Sequence, residues 1–552
     1  MISSKRVIQG ILAFCKANEI RDWYFSPGSR NAPFSISVPS DEFFNAISIV
    51  DESSAGFIAL GSSLNTNNVS VLCCTSGTAP LKYASAIAEA YYQRIPLLII
   101  TADRPQHWIG HGEGQSIKQV GVFDNYVKQS FHLDDFANDS EISETLREVE
   151  ESLFSGEYGP VHLNVSFEEP LYEQIAASDF KWEPQSRNLD QPVIDDSLAQ
   201  EWNSFEKILV LVGQENKKTK YKRLLDELSL DPRVVIMTEH LSNHAQFGFV
   251  NCIDRTLARI EKENSEYQPE LVITLGEAIV SKKIKQYLRS IYSLTHWHHN
   301  RIGRAVNVFK KLTKVLDFSV AEIESKLKPL TEASSTFRDL WKQKSFEVEM
   351  LHQKFVQQLE WCDLKAHGII YDTIPHNAVL HLGNSSVVRY NLLFNPSQDI
   401  FYLGNRGVSG IDGSTSTAVG YASKSSRLNV LVSGDLSFGY DANAFWNKLK
   451  VNNLKTIVIN NGGGGIFRII QGPKESGNLK DFFEVETPYD LKKRCESQSL
   501  RYLSATDVDS LEQSLIKLYE SNESTVLEIQ TPGDKNDLIL KDYFKFLNQE
   551  SL

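Results

Sequence analysis

Residues 429–461 hold the pattern that most narrows what this chain can fold into. An apolar run, 429–433, ends in Gly434-Asp435, and a second, 456–459, ends in Asn460-Asn461 and the glycines 462–465. Between them Ala442, Phe445, Trp446 and Leu449 recur at the spacing of one helix face. A strand, a crossover helix and a second strand make two parallel neighbours. Asp435 and Asn461 then stand at strand carboxyl ends, where open α/β sheets bind ligands. A carboxylate, an amide and a glycine backbone free to turn a carbonyl inward are hard oxygen donors. Magnesium takes such donors together with phosphate oxygens and water. Singly, Asp435 would also serve as a helix cap and Asn461-Gly462 as a turn. Spacing, strand placement and the glycine run together favour the metal.

The arrangement resembles the metal–diphosphate motif of thiamine diphosphate enzymes, which opens on Gly-Asp and closes on an asparagine after the next strand. The resemblance implies that Gly434, Asp435, Leu436 and Ser437 bind the cofactor. It assigns Mg2+, with Mn2+ as an alternative, to Asp435, Asn461 and the carbonyl of Gly463. Leu436 stands where glycine is more usual, which leaves the ligands untouched.

At 552 residues the chain is too long for one core. Segment 1–175 alternates helical patterns with the short strands DWYFS, NAISIV, VSVLCCT, PLLIITA and PVHLNV, a rhythm that predicts a doubly wound parallel sheet. Stretches without clear periodicity at 179–197 and 328–339 read as linkers. Between them run the strands KILVLVG, VVIMTEH and ELVITLG with the helical stretch SKKIKQYL. After a charged helix come NAVLHLG, DIFYLGN, NVLVSGD, TIVINN and STVLEIQ. The expectation is three doubly wound, parallel-sheet α/β domains, at 1–178, 198–328 and 350–552. By the resemblance, the first binds the cofactor's pyrimidine and the last its diphosphate and metal.

A net charge of −13 argues against non-specific nucleic-acid binding, so any anion pocket must come from local arginines and lysines. The six cysteines lack metal or disulfide spacing, which fits a reducing cytoplasm. No apolar stretch approaches the roughly 18–20 residues that span a bilayer, so no integral membrane segment is expected. The apolar start reads as an amphipathic helix with Ile8, Ile11, Leu12 and Cys15 on one face, rather than as a signal peptide.

A thiazolium acts only after losing its C2 proton, which needs a carboxylic acid at N1′ of the cofactor's own aminopyrimidine. In the first domain, strand NAISIV ends at Asp51-Glu52, the start of a helical pattern. Alone these acids would merely complement the helix dipole. Beside the metal motif, Glu52 becomes the candidate acid and Asp51 the helix cap.

The blocks SPGSRNAP (26–33), DESSAGFIALG (51–61), TSGTA (75–79), TADRP (101–105) and GQSIKQ (114–119) narrow the resemblance, as do GNSSVVR (383–389), NRGVSGIDG (405–413) and GDLSFGYD (434–441). Across all three domains the chain is similar to the MenD family, thiamine diphosphate carboligases (transferases) of menaquinone biosynthesis. The family decarboxylates 2-oxoglutarate on the cofactor and adds the succinyl carbanion to isochorismate, giving 2-succinyl-5-enolpyruvyl-6-hydroxy-3-cyclohexene-1-carboxylate. Both substrates are dicarboxylates and call for cationic or bidentate donors. Arg30, Arg104, Arg389 and Arg406 lie in loops expected at strand ends, and Lys282-Lys283 match a basic pair of the family's middle domain. Ser29, Ser385 and Gln115 add neutral donors, with Ser385 and Gly410 also assigned to the cofactor. Ile411 resembles the bulky residue that props the cofactor into a bent shape. Ile466, Phe467 and Ile470 would wall the site, Ile466 and Ile470 against the cofactor as well, and keep protons from the carbanion. A homodimer or homotetramer is implied.

Some features depart or mislead. Glycine stands at 114, 462 and 465, where relatives often carry polar side chains, so any contact from 465 is backbone only. His298-His299 fall on an expected strand and would point to opposite faces. LVLVGQE (209–215) lacks a full dinucleotide fingerprint and receives no cofactor. The alternative reading within enzymes is another thiamine diphosphate 2-oxoacid decarboxylase or an acetolactate-type synthase. A regulatory subunit without catalysis is disfavoured by Glu52, Asp435 and Asn461 together.

Overall fold

A computed structural model describes residues 1–184, 197–469, 472–485 and 490–550. Three parallel sheets organise them. The first is six-stranded, in the order Asn45–Ser48, Asp22–Phe25, Ser70–Cys74, Leu97–Asp103, Pro160–Ser166, Ser130–Leu133. The third has six strands in the order Phe401–Leu403, Val379–Leu382, Asn429–Gly434, Leu454–Asn460, Thr525–Gln530, Arg501–Ala505. Numbered by position in the chain, both sheets therefore run 2-1-3-4-6-5. The central sheet is five-stranded: Val234–Thr238, Ile208–Val212, Leu271–Leu275, Thr295–His299, Leu312–Leu316. Helices cover both faces of such sheets, which is why strands such as Leu97–Asp103 and Ile208–Val212 are buried along their whole length. The fold class is the expected one, doubly wound α/β.

Two expectations are corrected. The expected start of the third domain at 350 falls inside the helix Phe337–Gln357, which packs on Val234–Thr238, an edge strand of the central sheet, and on the terminal helix Asn536–Gln549. The helix expected across 442–449 does not form either. Asp435–Tyr440 is α-helical, and Ala442–Phe445 is a 3-10 turn. Side-chain bonds interrupt it: Asp441 accepts from the N–H and Oγ of Ser416, on the helix Ser414–Ala422, at 2.7 and 2.6 Å, and Asn447 Nδ2 donates to the nearby Ala444 carbonyl at 2.7 Å. The linker expected at 179–197 lies mostly outside the described residues. His298 and His299 do part: His298 bonds Thr274 Oγ1 and His299 bonds the Tyr221 hydroxyl, each at 2.9 Å.

The first and third sheets meet through the helices Glu52–Thr66 and Ser414–Ala422. A Cβ at Gly61 would lie 2.0 Å from the Thr417 carbonyl oxygen, and one at Gly420 2.0 Å from that of Ile58. Only glycine permits this backbone contact. Glu89, 1% exposed, secures the junction by accepting from the N–H groups of Gly407 and Val408 at 2.6 and 2.7 Å.

Candidate active site

Each outer sheet reverses its strand order between its first and third strands, the point where α/β sheets bind ligands. In the first sheet the loops at this point are 26–31 and 75–79, joined where the Arg30 N–H donates to Thr75 Oγ1 at 3.2 Å. In the third they are 383–386 and the Gly434-Asp435 turn, and Gly434 pairs in register with Ile459 of the next strand.

Asp435 begins the helix Asp435–Tyr440 and is 7% exposed. Burial pushes its carboxyl up to about 6, with repulsion from Asp363 adding to the rise and the N–H groups of Leu436 and Gly463 opposing it. The Leu436 N–H donates to Asp435 Oδ1 at 2.8 Å, and Ser437 Oγ donates to the Ile411 carbonyl at 2.6 Å. Asn461 donates from Nδ2 to Asp363 Oδ2 at 2.8 Å, which turns its amide oxygen the other way. Gly463 has φ +90°, and a Cβ there would lie 2.4 Å from the Val485 carbonyl oxygen. The glycine run is thus demanded by a left-handed turn pressed against 483–485. A buried carboxylate, an amide oxygen and a turned backbone fit a hard divalent cation. Gly410 is drawn toward the site by Asn384, whose Nδ2 donates to the Gly410 and Asn405 carbonyls at 2.6 and 2.8 Å. Ile411 is 40% exposed, and Ile470 lies outside the described residues.

Glu52 is the first residue of the helix Glu52–Thr66 and is half-buried. Asp51 is its cap, accepting from the Ser53 N–H at 3.0 Å. Asp51 thus caps the helix that Glu52 begins.

The expected substrate residues gather into two groups. On the first sheet, Arg30 is 3% exposed, donates to the Phe167 carbonyl at 2.9 Å and meets Glu169 at 3.1 Å. Burial and the neighbouring Arg104 hold its guanidinium below the usual value. Arg104 donates to the Gly114 carbonyl at 3.1 Å, while Ser29 and Gln115 are exposed, Gln115 with φ +54°. On the second and third sheets, Lys282 and Lys283 begin the helix Lys282–Ser290. Lys283, Arg389 and Ile466 line a cavity of about 170 Å³ with Asp254, Ser386 and Phe544. Lys283 Nζ lies 3.1 Å from the centre of the Phe544 ring, and burial pushes its pKa down to about 8 against the pull of Asp254. Arg389 donates to the Ser385 carbonyl, and Ser385 itself has φ +68°. Arg406 donates to Asn384 Oδ1 at 2.6 Å, and burial lowers its pKa. Phe467 turns toward Phe483, ring centres 5.5 Å apart.

Sequence reasoning missed several residues that shape these groups. Asn384 sits inside the GNSSVVR block and could have been found there. Gln119 also lies in a recognised block; it accepts from the Gly77 N–H at 3.0 Å and donates to Asn164 Oδ1 at 3.1 Å, tying 75–79 to the first sheet. Glu239 accepts from the N–H groups of Val280 and Ser281 at 2.7 and 2.6 Å and so sets the helix that carries the two lysines. Burial pushes its carboxyl up to about 7. Neither Glu239 nor Asp363 carries a local signal.

Residues 5–122 match the family described as thiamine pyrophosphate enzyme, N-terminal TPP binding domain. Over its whole length the chain resembles curated 2-succinyl-5-enolpyruvyl-6-hydroxy-3-cyclohexene-1-carboxylate synthases. That of Flavobacterium johnsoniae is 38% identical over 98% of both chains. That of Christiangramia forsetii is 38% identical over 98% of both, and that of Bacteroides thetaiotaomicron 34% identical over 100% of both. This chain belongs to that synthase family. As a family member it is a thiamine diphosphate-dependent enzyme, and the match at 5–122 spans Glu52, Arg30 and Arg104.

Proposed function

We propose that the chain decarboxylates 2-oxoglutarate and joins the resulting four-carbon unit to isochorismate, forming 2-succinyl-5-enolpyruvyl-6-hydroxy-3-cyclohexene-1-carboxylate for menaquinone biosynthesis. The carrying observation is the cavity lined by Lys283, Arg389 and Ile466: cations on an apolar wall between the central and third units, with Ile466 in the loop that carries Asn461. Dicarboxylate substrates need that combination of charge and dryness.

Thiamine diphosphate supplies, when bound, a thiazolium carbon that accepts the negative charge left as CO2 departs. Asp435, Asn461 and the Gly463 carbonyl would hold Mg2+ (or Mn2+) against its diphosphate. Glu52 would hold a proton for its pyrimidine ring, and Ile411 would support its bend. Lys282, Lys283, Arg389 and Arg406 pair with substrate carboxylates, joined by Arg30, Arg104, Ser29 and Gln115. Ile466 and Phe467 keep water away, so that the carbanion meets isochorismate rather than a proton.

The two groups of substrate residues would form one site where the first unit of one chain meets the third unit of another. Val50 and Trp446, near Glu52 and Asn443 in the chain, are 50% and 55% exposed, and Leu81, 47% exposed, lies on the helix Ala79–Lys82, whose Lys82 carbonyl accepts from Ser53 Oγ; together they offer an apolar surface there. A second copy related by a two-fold axis would cover it and bring Glu52 of one chain to Asp435 of the other, giving two equivalent sites. All six cysteines are buried free thiols, which favours a reducing compartment such as the cytoplasm. Among the described residues no helix is long and apolar enough to cross a membrane.

The test is a product assay with the full chain, thiamine diphosphate, Mg2+, 2-oxoglutarate and isochorismate, read by mass spectrometry. The adduct should form with release of CO2. Succinic semialdehyde as sole product in the presence of isochorismate would overturn the carboligase reading.

A further inference from the structure

We propose that Asp363 is the positioning residue that decides which end of the Asn461 side-chain amide faces the metal. The inference rests on reading Asp435, Asn461 and Gly463 as the metal ligands. Asp363 begins the helix Asp363–Thr373 and is 2% exposed. Its Oδ2 accepts from Asn461 Nδ2 at 2.8 Å and its Oδ1 from Thr531 Oγ1 at 2.5 Å. Its own N–H donates to Asn536 Oδ1 at 2.9 Å, so Asn461 and Thr531 hold the carboxylate while Asn536 fixes the backbone beneath it.

The two ends of an asparagine amide are nearly alike in shape, and only hydrogen bonding tells them apart. An ionised carboxylate accepts and cannot donate. Asp363 therefore retains the NH2 end and leaves the oxygen on the opposite side, as the hard donor a divalent cation requires. Exchanged, the amide would set oxygen against a buried carboxylate and NH2 against the cation, and both contacts repel. The backbone of Asn461 has no room to compensate: a Cβ at Gly533 would lie 2.1 Å from the Asn461 carbonyl oxygen, and one at Gly465 3.2 Å from Nδ2. The glycine at 465 leaves the amide space to lie against Asp363.

Full-length Asp363→Ala and Asp363→Asn chains test this, with calorimetric titration of thiamine diphosphate at stepped Mg2+ and thermal melting without either. Asp363→Ala should raise the Mg2+ concentration for half-maximal cofactor binding about 10–100-fold, the usual effect of losing a group that orients a ligand. Asp363→Asn, whose amide oxygen still accepts from Asn461, should stay within about threefold. Wild-type Mg2+ dependence in Asp363→Ala, or equal losses in both variants, overturns the proposal. A third pair keeps the test alive if Asp363→Ala does not fold. Asn461→Asp sets two carboxylates together and should lose Mg2+ affinity. Adding Asp363→Asn lets the amide at 363 donate to the carboxylate at 461 and should restore it; no restoration counts against the proposal. Asp435→Ala, run in parallel, tests the ligand assignment itself. If it leaves Mg2+ dependence unchanged, the metal site is misassigned; if it alone loses Mg2+ affinity, only the role of Asp363 fails.

Discussion

Asn443 donates from Nδ2 to Oδ2 of Asp51 at 2.7 Å, tying the turn that follows the Gly-Asp helix to the cap of the helix beginning at Glu52. The backbones run together beside this bond, where Ile49 and Asn447 form an antiparallel bridge. The start of the Glu52 helix is thus braced by Asp51.

Glu52→Gln should slow turnover by about 10²–10⁴-fold, the range for a positioned acid or base, because an amide cannot deliver the proton. Cofactor affinity should change far less. Steady-state assays beside a binding titration check this, and near wild-type turnover would remove Glu52 from the mechanism. Asp51→Ala should instead act on stability, costing about 0.5–2 kcal/mol as a lost cap, read from denaturant melts.

Mixing Glu52→Gln chains with Asp435→Ala chains tests the shared site. Each homodimer carries two damaged sites, while a mixed dimer carries one intact site with Glu52 from one chain and Asp435 from the other. Co-expressed mixtures should regain activity. If mixed dimers form, as tagged pull-down would show, and remain inactive, the site lies within one chain.

Lys283 predicts a pH dependence. Burial brings its pKa down to about 8, so it is charged below that pH and neutral above it. Because kcat/KM reports the free enzyme, it should fall as pH climbs past 8, by up to about tenfold per unit when only the charged form binds. Lys283→Arg keeps its charge and should move the fall to higher pH. An unchanged profile in that variant would assign the fall to another group.

Acid should destabilise the fold. Burial pushes His162, His240, His352 and His367 down to about 3, and His244, His296, His298, His299 and His381 to about 4. The folded state keeps these rings neutral, whereas the unfolded chain protonates them near the ordinary value of about 6.5. Stability is therefore complete above that pH and lost as pH falls toward the folded values, by about 1.4 kcal/mol per unit for each ring. Glu239 and Asp441, both pushed up to about 7, and Asp435, pushed up to about 6, act in the opposite sense, as do the raised carboxyls of Glu89, Asp103, Asp254, Glu277, Asp363 and Asp372, and they offset part of the loss. Urea midpoints should drop steeply between pH 6.5 and 5, and a flat profile would contradict the burial of these rings.

Much of this molecule could be read from local pattern. Apolar runs mark the strands that are buried on both faces, because burial leaves its record in the residues themselves. Glycine, aspartate and asparagine at strand ends mark the turns and caps, because those conformations and bonds are made within a few residues. Asp51 as cap, Glu52 as first helical residue and the Gly434-Asp435 turn were legible on that basis. The edge strands Ser130–Leu133 and Arg501–Ala505 were not, since an edge has less to bury and carries more polar residues. The helix expected at 442–449 failed because Asp441, Asn443 and Asn447 spend their side chains on bonds that a periodicity count does not weigh.

By itself, then, the sequence determined three doubly wound sheets, the strand ends that bear the chemistry, and the residue types offered there. Tertiary structure alone decided which of those ends meet. Asp363 reaches Asn461 across 98 residues, and Glu89 reaches Gly407 across 318. Such partners are set by the order of strands and the packing of one sheet unit on another. A buried carboxylate takes whichever N–H the fold brings within reach, and nothing in its own neighbourhood of the chain names that partner.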